Sequence, residues 1–281
     1  MGERAFLPVY VILTPMIVAC STVSFKKDIA GALADVGRLG FTHADLIGIP
    51  AFRQTYPERM AVDPDGQAQE IGAALDGARV KPATFNANVP DFTDRTTEAV
   101  QRREHEWAGL AKVMKALGVR IASFYPGYLK QGEPWHRALD ASAATAAEML
   151  KAAEKHGVEF LIEAHYDTMV CSPEQVGALL SAVPGVRFVY DPSHFAMLGL
   201  DLAMTLPVLD RSSHVHVRDA APKKMYVRCG TGTVDFSGLM AALRERGYAG
   251  FVSLECLPTD DWNVEEDVAE LKRLMDGLNK A

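Results

Sequence analysis

The chain has 281 residues, 48% hydrophobic and 23% charged, which is enough apolar material for one α/β barrel and does not require two domains. The formal net charge of −7 argues against a nucleic-acid partner, because phosphate binding needs a positive field. The four cysteines, Cys20, Cys171, Cys229 and Cys256, share no CxxC spacing. Their spacing favours reduced thiols in a cytoplasmic protein over a zinc knuckle or a disulfide framework.

The N-terminal segment has two interpretations. Ile17-Val18-Ala19-Cys20 resembles a lipoprotein cleavage box, and an apolar run precedes it. However, Pro8 and Pro15 interrupt that run, which is too short to span a bilayer. We therefore predict that residues 1–15 are an N-terminal extension, that a first strand follows, and that no membrane is involved.

The remaining chain alternates short apolar runs with amphipathic stretches, which is typical of βα units around a parallel sheet. The predicted strands are Ile17–Ser24, His43–Ile47, Lys81–Phe85, Arg120–Tyr125, Glu159–Glu163, Arg187–Asp191, His214–Val217 and Phe251–Glu255. Between them we predict helices over Asp28–Leu39, Ala68–Ala78, Thr96–Leu117, Trp135–His156, a segment starting at Ser172-Pro173-Glu174, Leu202–Leu209 and Phe236–Arg246, with Val264–Leu278 closing the chain. The segments Tyr56–Gln67, Pro90–Glu98 and Asp219–Thr233 are predicted loops.

Glycines punctuate this pattern. Gly40, Gly118, Gly157 and Gly247 each stand between the end of a predicted helix and the next strand, where helix C-caps are expected. Eight strands is the number that closes such a barrel. We therefore predict an α/β fold consisting of a single (β/α)₈ TIM barrel, with residues 16–281 as one catalytic domain.

Four consecutive strands of the second half end in a side chain that can bind a metal: Glu163, Asp191, His216 and Glu255. Reactive groups in such barrels stand at the C-terminal strand ends. Each residue alone has an ordinary alternative, as an ion-pair partner, a turn residue or a core histidine. Together, however, three buried carboxylates would repel one another without a cation. An oxygen-rich set suits one divalent ion, Mn²⁺ first, with Mg²⁺ or Co²⁺ as alternatives.

Other polar residues lie close to this set in the sequence. His194, three residues after Asp191, is predicted to contact a substrate oxygen or to orient a ligand. Arg218 and Arg228 are candidates to bind an anionic group or a hydroxyl, with solvated loop charges as the alternative. Trp262 follows the last strand and is predicted to form a wall of the pocket.

Several segments carry a family resemblance: Val158–His165, Tyr190–Phe195, His214–Asp219 and Gly230–Phe236, followed by Gly247-Tyr248 and Leu254-Glu255. They resemble the sugar phosphate isomerase/epimerase family of the xylose-isomerase-like TIM barrel superfamily, over about residues 16 to 278. The resemblance implies that Glu163, Asp191, His216 and Glu255 bind the metal. It also implies that the two glutamates serve as acid and base. One departure is Asp45, at the strand-two position where the family commonly carries a glutamate.

The resemblance implies a divalent-metal-dependent isomerase or epimerase of a sugar or related polyhydroxy carbonyl compound, working by proton transfer through a metal-bound enediolate. The alternative is a lyase that dehydrates a cyclic keto-polyol similar to an inosose or dehydroshikimate. A metal nuclease is disfavoured, because the third and fourth predicted strands end without histidine and the chain is acidic. The expected partner is a small sugar-like molecule, and a homo-oligomer is compatible with the sequence.

Overall fold

The structure, a computed structural model, describes residues 16–280 and confirms the predicted barrel. Its strands are β1 (Ile17–Ser21), β2 (His43–Gly48), β3 (Lys81–Ala87), β4 (Ile121–Phe124), β5 (Glu159–Glu163), β6 (Phe188–Tyr190), β7 (Ser212–Val217) and β8 (Phe251–Leu254). Each strand pairs in parallel with its sequence neighbours, and β1 pairs with β8 to close the barrel. Because all strands run the same way, their C-terminal ends meet at one mouth.

Helices connect the strands on the outside. They are α1 (Ile29–Arg38), α2 (Pro57–Val62), α3 (Pro64–Ala78), α4 (Thr97–Leu117), α5 (Trp135–His156), α6 (Pro173–Ala182), α7 (Pro192–Met197), α8 (Leu202–Leu209), α9 (Phe236–Glu245) and α10 (Val264–Lys280). Two short 3₁₀ turns, Thr22–Ser24 and Pro50–Phe52, lie in the loops after β1 and β2. Among the described residues, no helix is both long and apolar enough to cross a membrane.

The predicted loop Tyr56–Gln67 was wrong, because this segment folds into α2 and the start of α3. Pro57 and Pro64 stand at the first turns of the two helices, where proline is well tolerated. Asp63 accepts a hydrogen bond from the Gly66 backbone N–H at 3.0 Å and so begins α3. The segment is too short for a clear helical period, so proline and capping positions were the available signal.

The first strand is shorter than predicted but lies in the expected place. The Ser21 side chain caps the 3₁₀ turn that follows, which ends β1 three residues earlier than the predicted Ser24. Cys20 pairs with Ala44 on one side and Leu254 on the other, and it is fully buried. The strand interpretation of this segment is therefore confirmed, whereas the predicted extension, residues 1–15, lies outside the described residues.

The alternation along β5 shows how the barrel separates apolar packing from polar chemistry. Phe160 and Ile162 belong to the hydrophobic layer between the sheet and the helices. The Phe160 ring packs edge-on against Phe124 at 5.1 Å between centroids. Because side chains alternate along a strand, Leu161 and Glu163 face the barrel interior instead. In β5, Phe160 and Ile162 thus belong to the layer beneath the helices, while Leu161 and Glu163 line the interior.

Candidate metal centre

The four predicted ligands converge at the mouth of the barrel. Glu163 is the last residue of β5, Asp191 follows β6, His216 lies near the end of β7 and Glu255 follows β8. Each offers one ligand atom, and these atoms all lie within 4.8 Å of one another. All four residues are buried, with exposures of 0% for Glu163, Asp191 and His216 and 6% for Glu255. The structure therefore brings together the whole predicted set.

The orientation of Asp191 follows from a helix cap. Its Oδ1 accepts a hydrogen bond from the Ser193 backbone N–H at 2.8 Å, which begins the unpredicted helix α7 at Pro192. Capping fixes one carboxylate oxygen on the helix terminus. The second oxygen, Oδ2, faces His194 at 3.5 Å and Arg218 at 3.1 Å.

Two cationic side chains face the three carboxylates. The Nδ1 atom of His216 lies 3.1 Å from Glu163 Oε1 and 3.6 Å from Glu255 Oε2. Arg218 Nη1 donates to Glu255 Oε2 and forms an ion pair with Asp191. The amide of Asn86 donates to the other oxygen of Glu255 at 3.0 Å. Glu255 therefore has two donors, one from each half of the barrel.

Burial and charge act in opposite directions on these groups. Burial opposes the charge on His216, but Glu255 and Glu163 outweigh it and raise the pKa of the imidazole well above its usual range. Burial is the main reason that the pKa of Glu163 is raised. For Arg218, burial is likewise outweighed by Asp191 and Glu255, so its pKa rises further above its usual value. The buried negative charge of this cluster therefore requires a compensating cation.

The donor atoms fit a divalent ion. Glu163 Oε2 is buried without a hydrogen-bond partner among the described residues, and Asp191 Oδ2 has only charge contacts, with Arg218 and His194. Buried carboxylate oxygens without partners are costly, and a hard cation satisfies them. Three carboxylates and one imidazole are the donors that Mn²⁺ and Mg²⁺ accept.

A cavity of about 120 Å³ borders the cluster at Glu255 and is called the inner cavity below. One part of its lining is polar apart from Met225 and comprises Tyr125, His165, Arg218, Met225 and Glu255. The other part is apolar and comprises Val23, Ile47, Ile49, Phe52 and Leu257. A larger outer cavity, of about 700 Å³, shares Phe52 and Leu257 with it. Apart from Ile47 of β2, their lining residues lie in segments that follow strands, so both cavities are at the mouth where the carboxylates converge.

Two of the four predicted substrate residues lie at the centre. Arg218 lines the inner cavity and donates from Nη2 to His194 Nε2 at 3.1 Å. His194 is fully buried. Burial, together with the neighbouring His165, Arg218 and His216, lowers the pKa of His194 well below its usual range. A neutral His194 can accept the bond from Arg218 and so orient the guanidinium.

The other two predicted substrate residues lie elsewhere. Arg228 is half-exposed and forms a weak ion pair with Glu270 at 3.8 Å. Trp262 packs against Tyr226 at 5.1 Å between ring centroids and donates to its hydroxyl at 3.3 Å. Neither residue lines the inner or the outer cavity. Substrate contact by Arg228 and Trp262 therefore stays a prediction.

His165 and Tyr125 line the cavity although they were not predicted as site residues. The His165 ring lies 3.9 Å from that of His194 and 4.8 Å from that of Tyr125, and its Nδ1 contacts Asp167. Burial, and then Glu163 and Glu255, raise the pKa of Tyr125 well above its usual range, so its hydroxyl keeps its proton. The sequence could have indicated His165, because it is two residues after Glu163 and side-chain alternation directs both side chains into the barrel.

Together the fold and the site define a class: a closed (β/α)₈ barrel with an acidic, histidine-containing candidate metal centre at its C-terminal mouth. A family model described as xylose isomerase-like TIM barrel matches residues 33–279. The chain belongs to this family, which confirms the superfamily resemblance seen in the sequence. No curated protein matches the chain.

Solved structures share the fold. The 3-keto-D-glucoside 4-epimerase YcjR from E. coli is 15% identical, with 92% of this chain and 99% of that chain covered and a TM-score of 0.72. The IOLI protein with a bound zinc atom is 20% identical, with 94% and 99% covered and a TM-score of 0.73. The D-psicose 3-epimerase from Clostridium cellulolyticum H10 is 13% identical, with 94% and 99% covered and a TM-score of 0.72. At these identities the similarity establishes the shared barrel.

Proposed function

We propose that the protein is a divalent-metal-dependent isomerase or epimerase of a sugar or a related polyhydroxy carbonyl compound. The observation that carries the proposal is the convergence of Glu163, Asp191, His216 and Glu255 within 4.8 Å, beside a cavity that Glu255 lines. The oxygen-rich donor set favours Mn²⁺. Similar barrels include two epimerases of sugar compounds and one protein with bound zinc, which supports this class of activity and a metal at this fold.

The metal would polarise a substrate carbonyl and so acidify the neighbouring C–H bond. Glu163 and Glu255 are the proposed acid and base, because each is a buried carboxylate at the centre. Proton return to the same carbon from the opposite face gives epimerisation, whereas return to the adjacent carbon gives isomerisation.

Donors around the inner cavity would orient the substrate. Arg218 and Tyr125 both line the cavity, and both keep their protons because their pKa values are raised. They can therefore donate to hydroxyl or carbonyl oxygens, while neutral His194 holds Arg218 in place. The inner cavity, about 120 Å³, is smaller than a usual ligand pocket of about 300–1,000 Å³. The adjoining outer cavity provides the room for the rest of the substrate.

The proposal is tested by proton exchange. The Mn²⁺-loaded protein is incubated in D₂O with D-allulose, D-tagatose, L-ribulose and a 3-keto-D-glucoside, and deuterium is located by NMR. We expect incorporation on the carbon next to the carbonyl of at least one probe. Glu163→Gln and Glu255→Gln should each lower kcat at least about a hundredfold, because each removes a proton-transfer group. Glu270→Gln is the matched control, since Glu270 is half-exposed and pairs with Arg228.

Two results would contradict the proposal. Exchange at wild-type rates in both glutamate variants would mean that these carboxylates take no part in proton transfer. A product lighter by one water would identify a dehydratase instead of an isomerase or epimerase.

A further inference from the structure

Asp45 is a buried carboxylate that the proposed reaction does not use. It lies within β2, has 0% exposure and faces the barrel interior. Its Oδ1 accepts a hydrogen bond from the Thr84 hydroxyl of β3 at 2.7 Å. The pairing of β2 with β3 shifts register between Ala44 and Asp45. Such irregularities re-aim side chains, and they often accompany functional sites.

The imidazole of His216 stands between this carboxylate and the candidate metal centre. Its Nε2 lies 2.9 Å from Asp45 Oδ2, whereas its Nδ1 lies 3.1 Å from Glu163 Oε1. The contact between His216 Nε2 and Asp45 Oδ2 is within ion-pair distance. The two ring nitrogens therefore face two separate acidic groups, one inside the cluster of four and one behind it.

We propose that Asp45, held by Thr84, is the positioning residue that keeps hydrogen on Nε2 of His216 and leaves Nδ1 as the metal-binding nitrogen. The inference rests on the metal centre of the proposed function. A metal-bound imidazole has lost the proton of its binding nitrogen and carries one hydrogen on the other, and a carboxylate beside a ring nitrogen favours the hydrogen there. Metal-binding histidines commonly place their second ring nitrogen against such a carboxylate.

The surroundings of Asp45 agree with this role. His214 Nε2 lies 3.8 Å from Asp45 Oδ2, and the His214 ring packs at 90° against His216, with 4.8 Å between centroids. These contacts fix the His216 ring from beneath. Asp45, His214 and His216 also offer ligand atoms within 4.8 Å of one another, so a second ion is the competing interpretation. Metal stoichiometry separates the two.

The test compares Asp45→Asn with Thr84→Val in Mn²⁺ titrations of the metal-free protein by calorimetry. Asn keeps the shape of Asp but removes the charge, so we expect one site with about 10- to 100-fold weaker affinity. Thr84→Val keeps the carboxylate and removes only its hydrogen-bond donor. It should therefore weaken affinity by less than Asp45→Asn does.

A spectroscopic measurement reads the tautomer of His216 directly. Protein labelled with ¹⁵N-histidine is loaded with Zn²⁺, and His216 is assigned by loss of its signal in His216→Gln. We expect the hydrogen on Nε2 in the wild type and a loss of this preference in Asp45→Asn. A change of tautomer distinguishes positioning from a purely structural role.

The inference is overturned if zinc-loaded wild type carries the hydrogen on Nδ1, or if Asp45→Asn binds Mn²⁺ as tightly as wild type. It is also overturned if wild type binds two equivalents and Asp45→Asn binds one, because Asp45 would then be a ligand. Wild type that binds no divalent metal would instead contradict the proposed function itself.

Discussion

The two halves of the barrel contribute differently to the candidate centre. The second half supplies the converging side chains: Glu163, Asp191, His216 and Glu255. The first half supplies residues that contact members of this set from outside it: Asp45 and Asn86. Depth along the strand explains the difference, because Glu163 is the last residue of β5 whereas Asp45 lies in the middle of β2. Asp45 therefore lies one layer deeper in the barrel, where its carboxylate contacts His216 and does not reach the mouth.

The loops differ between the halves as well. In the first half, short 3₁₀ turns bring Val23 and Phe52 to the inner cavity. In the second half, the long loop after β7 brings Met225 to it. The Asp219 carboxylate organises this loop by accepting backbone N–H groups of Gly230 and Gly232, each at 2.9 Å. The second half therefore depends on buried charge for the shape of its loop as well as for its chemistry.

Replacing Arg218 is expected to cause the largest change, a loss of stability of the metal-free protein. Arg218→Ala leaves Asp191 and Glu255 buried without their cation, which should lower the free energy of unfolding of the metal-free protein by about 3–5 kcal/mol. Arg228→Ala is the matched control and should change it by less than about 0.5 kcal/mol, because Arg228 is half-exposed. Urea denaturation measures both. Equal losses in the two variants would mean that the carboxylates of the second half do not depend on Arg218.

A smaller loss of stability is expected from a substitution in the loop after β7. A Cβ at Gly232 would overlap Asp219 Oδ1 and the Ala220 carbonyl, so Gly232→Ala should cost about 1–3 kcal/mol and expose the loop to proteolysis. Gly177→Ala is the control, because nothing lies within 4 Å of an added Cβ in α6. It should stabilise the protein by up to about 1 kcal/mol. Unchanged proteolysis of Gly232→Ala would show that the loop does not need the contacts to Asp219.

The smallest expected effect is on Mn²⁺ affinity, and it concerns Asn86 of the first half, which contacts the proposed ligand Glu255. Asn86→Ala removes the donor to Glu255 Oε1 but leaves Arg218 on the other oxygen. We expect Mn²⁺ affinity to fall about tenfold, the low end for a residue that supports a ligand. Calorimetric titration measures it. Loss of all metal binding would place Asn86 among the ligands and remove the distinction between the halves.

The sequence predicted the barrel and the meeting of four side chains because both depend on regular features. Strand and helix periods alternate along the whole chain, and the ends of neighbouring parallel strands meet at one mouth. The short helices α2 and α7 were missed because they depend on contacts and caps rather than on a period. An added Cβ at Gly109 would lie 2.5 Å from the Ala61 backbone, so α4 accommodates α2 only where glycine stands.

Contacts across the barrel could not be predicted from the sequence. Nothing in the local pattern shows that Asp45 of β2 meets His216 of β7, because that contact depends on the depth of both residues in the closed barrel. The two arginines were equally plausible as substrate residues, and burial separates them: Arg218 is 1% exposed, whereas the Arg228 side chain is 50% exposed. Side-chain alternation along β7 favoured Arg218 as the substrate residue, because it is two residues after His216 and should face the same way.

The most direct test of the account is a crystal structure of the wild-type protein grown with Mn²⁺, with the ion located by its anomalous scattering. We expect one Mn²⁺ at about 2.0–2.4 Å from oxygens of Glu163, Asp191 and Glu255 and from Nδ1 of His216. An anomalous map with no ion among these four side chains, or with the ion bound elsewhere, would contradict it.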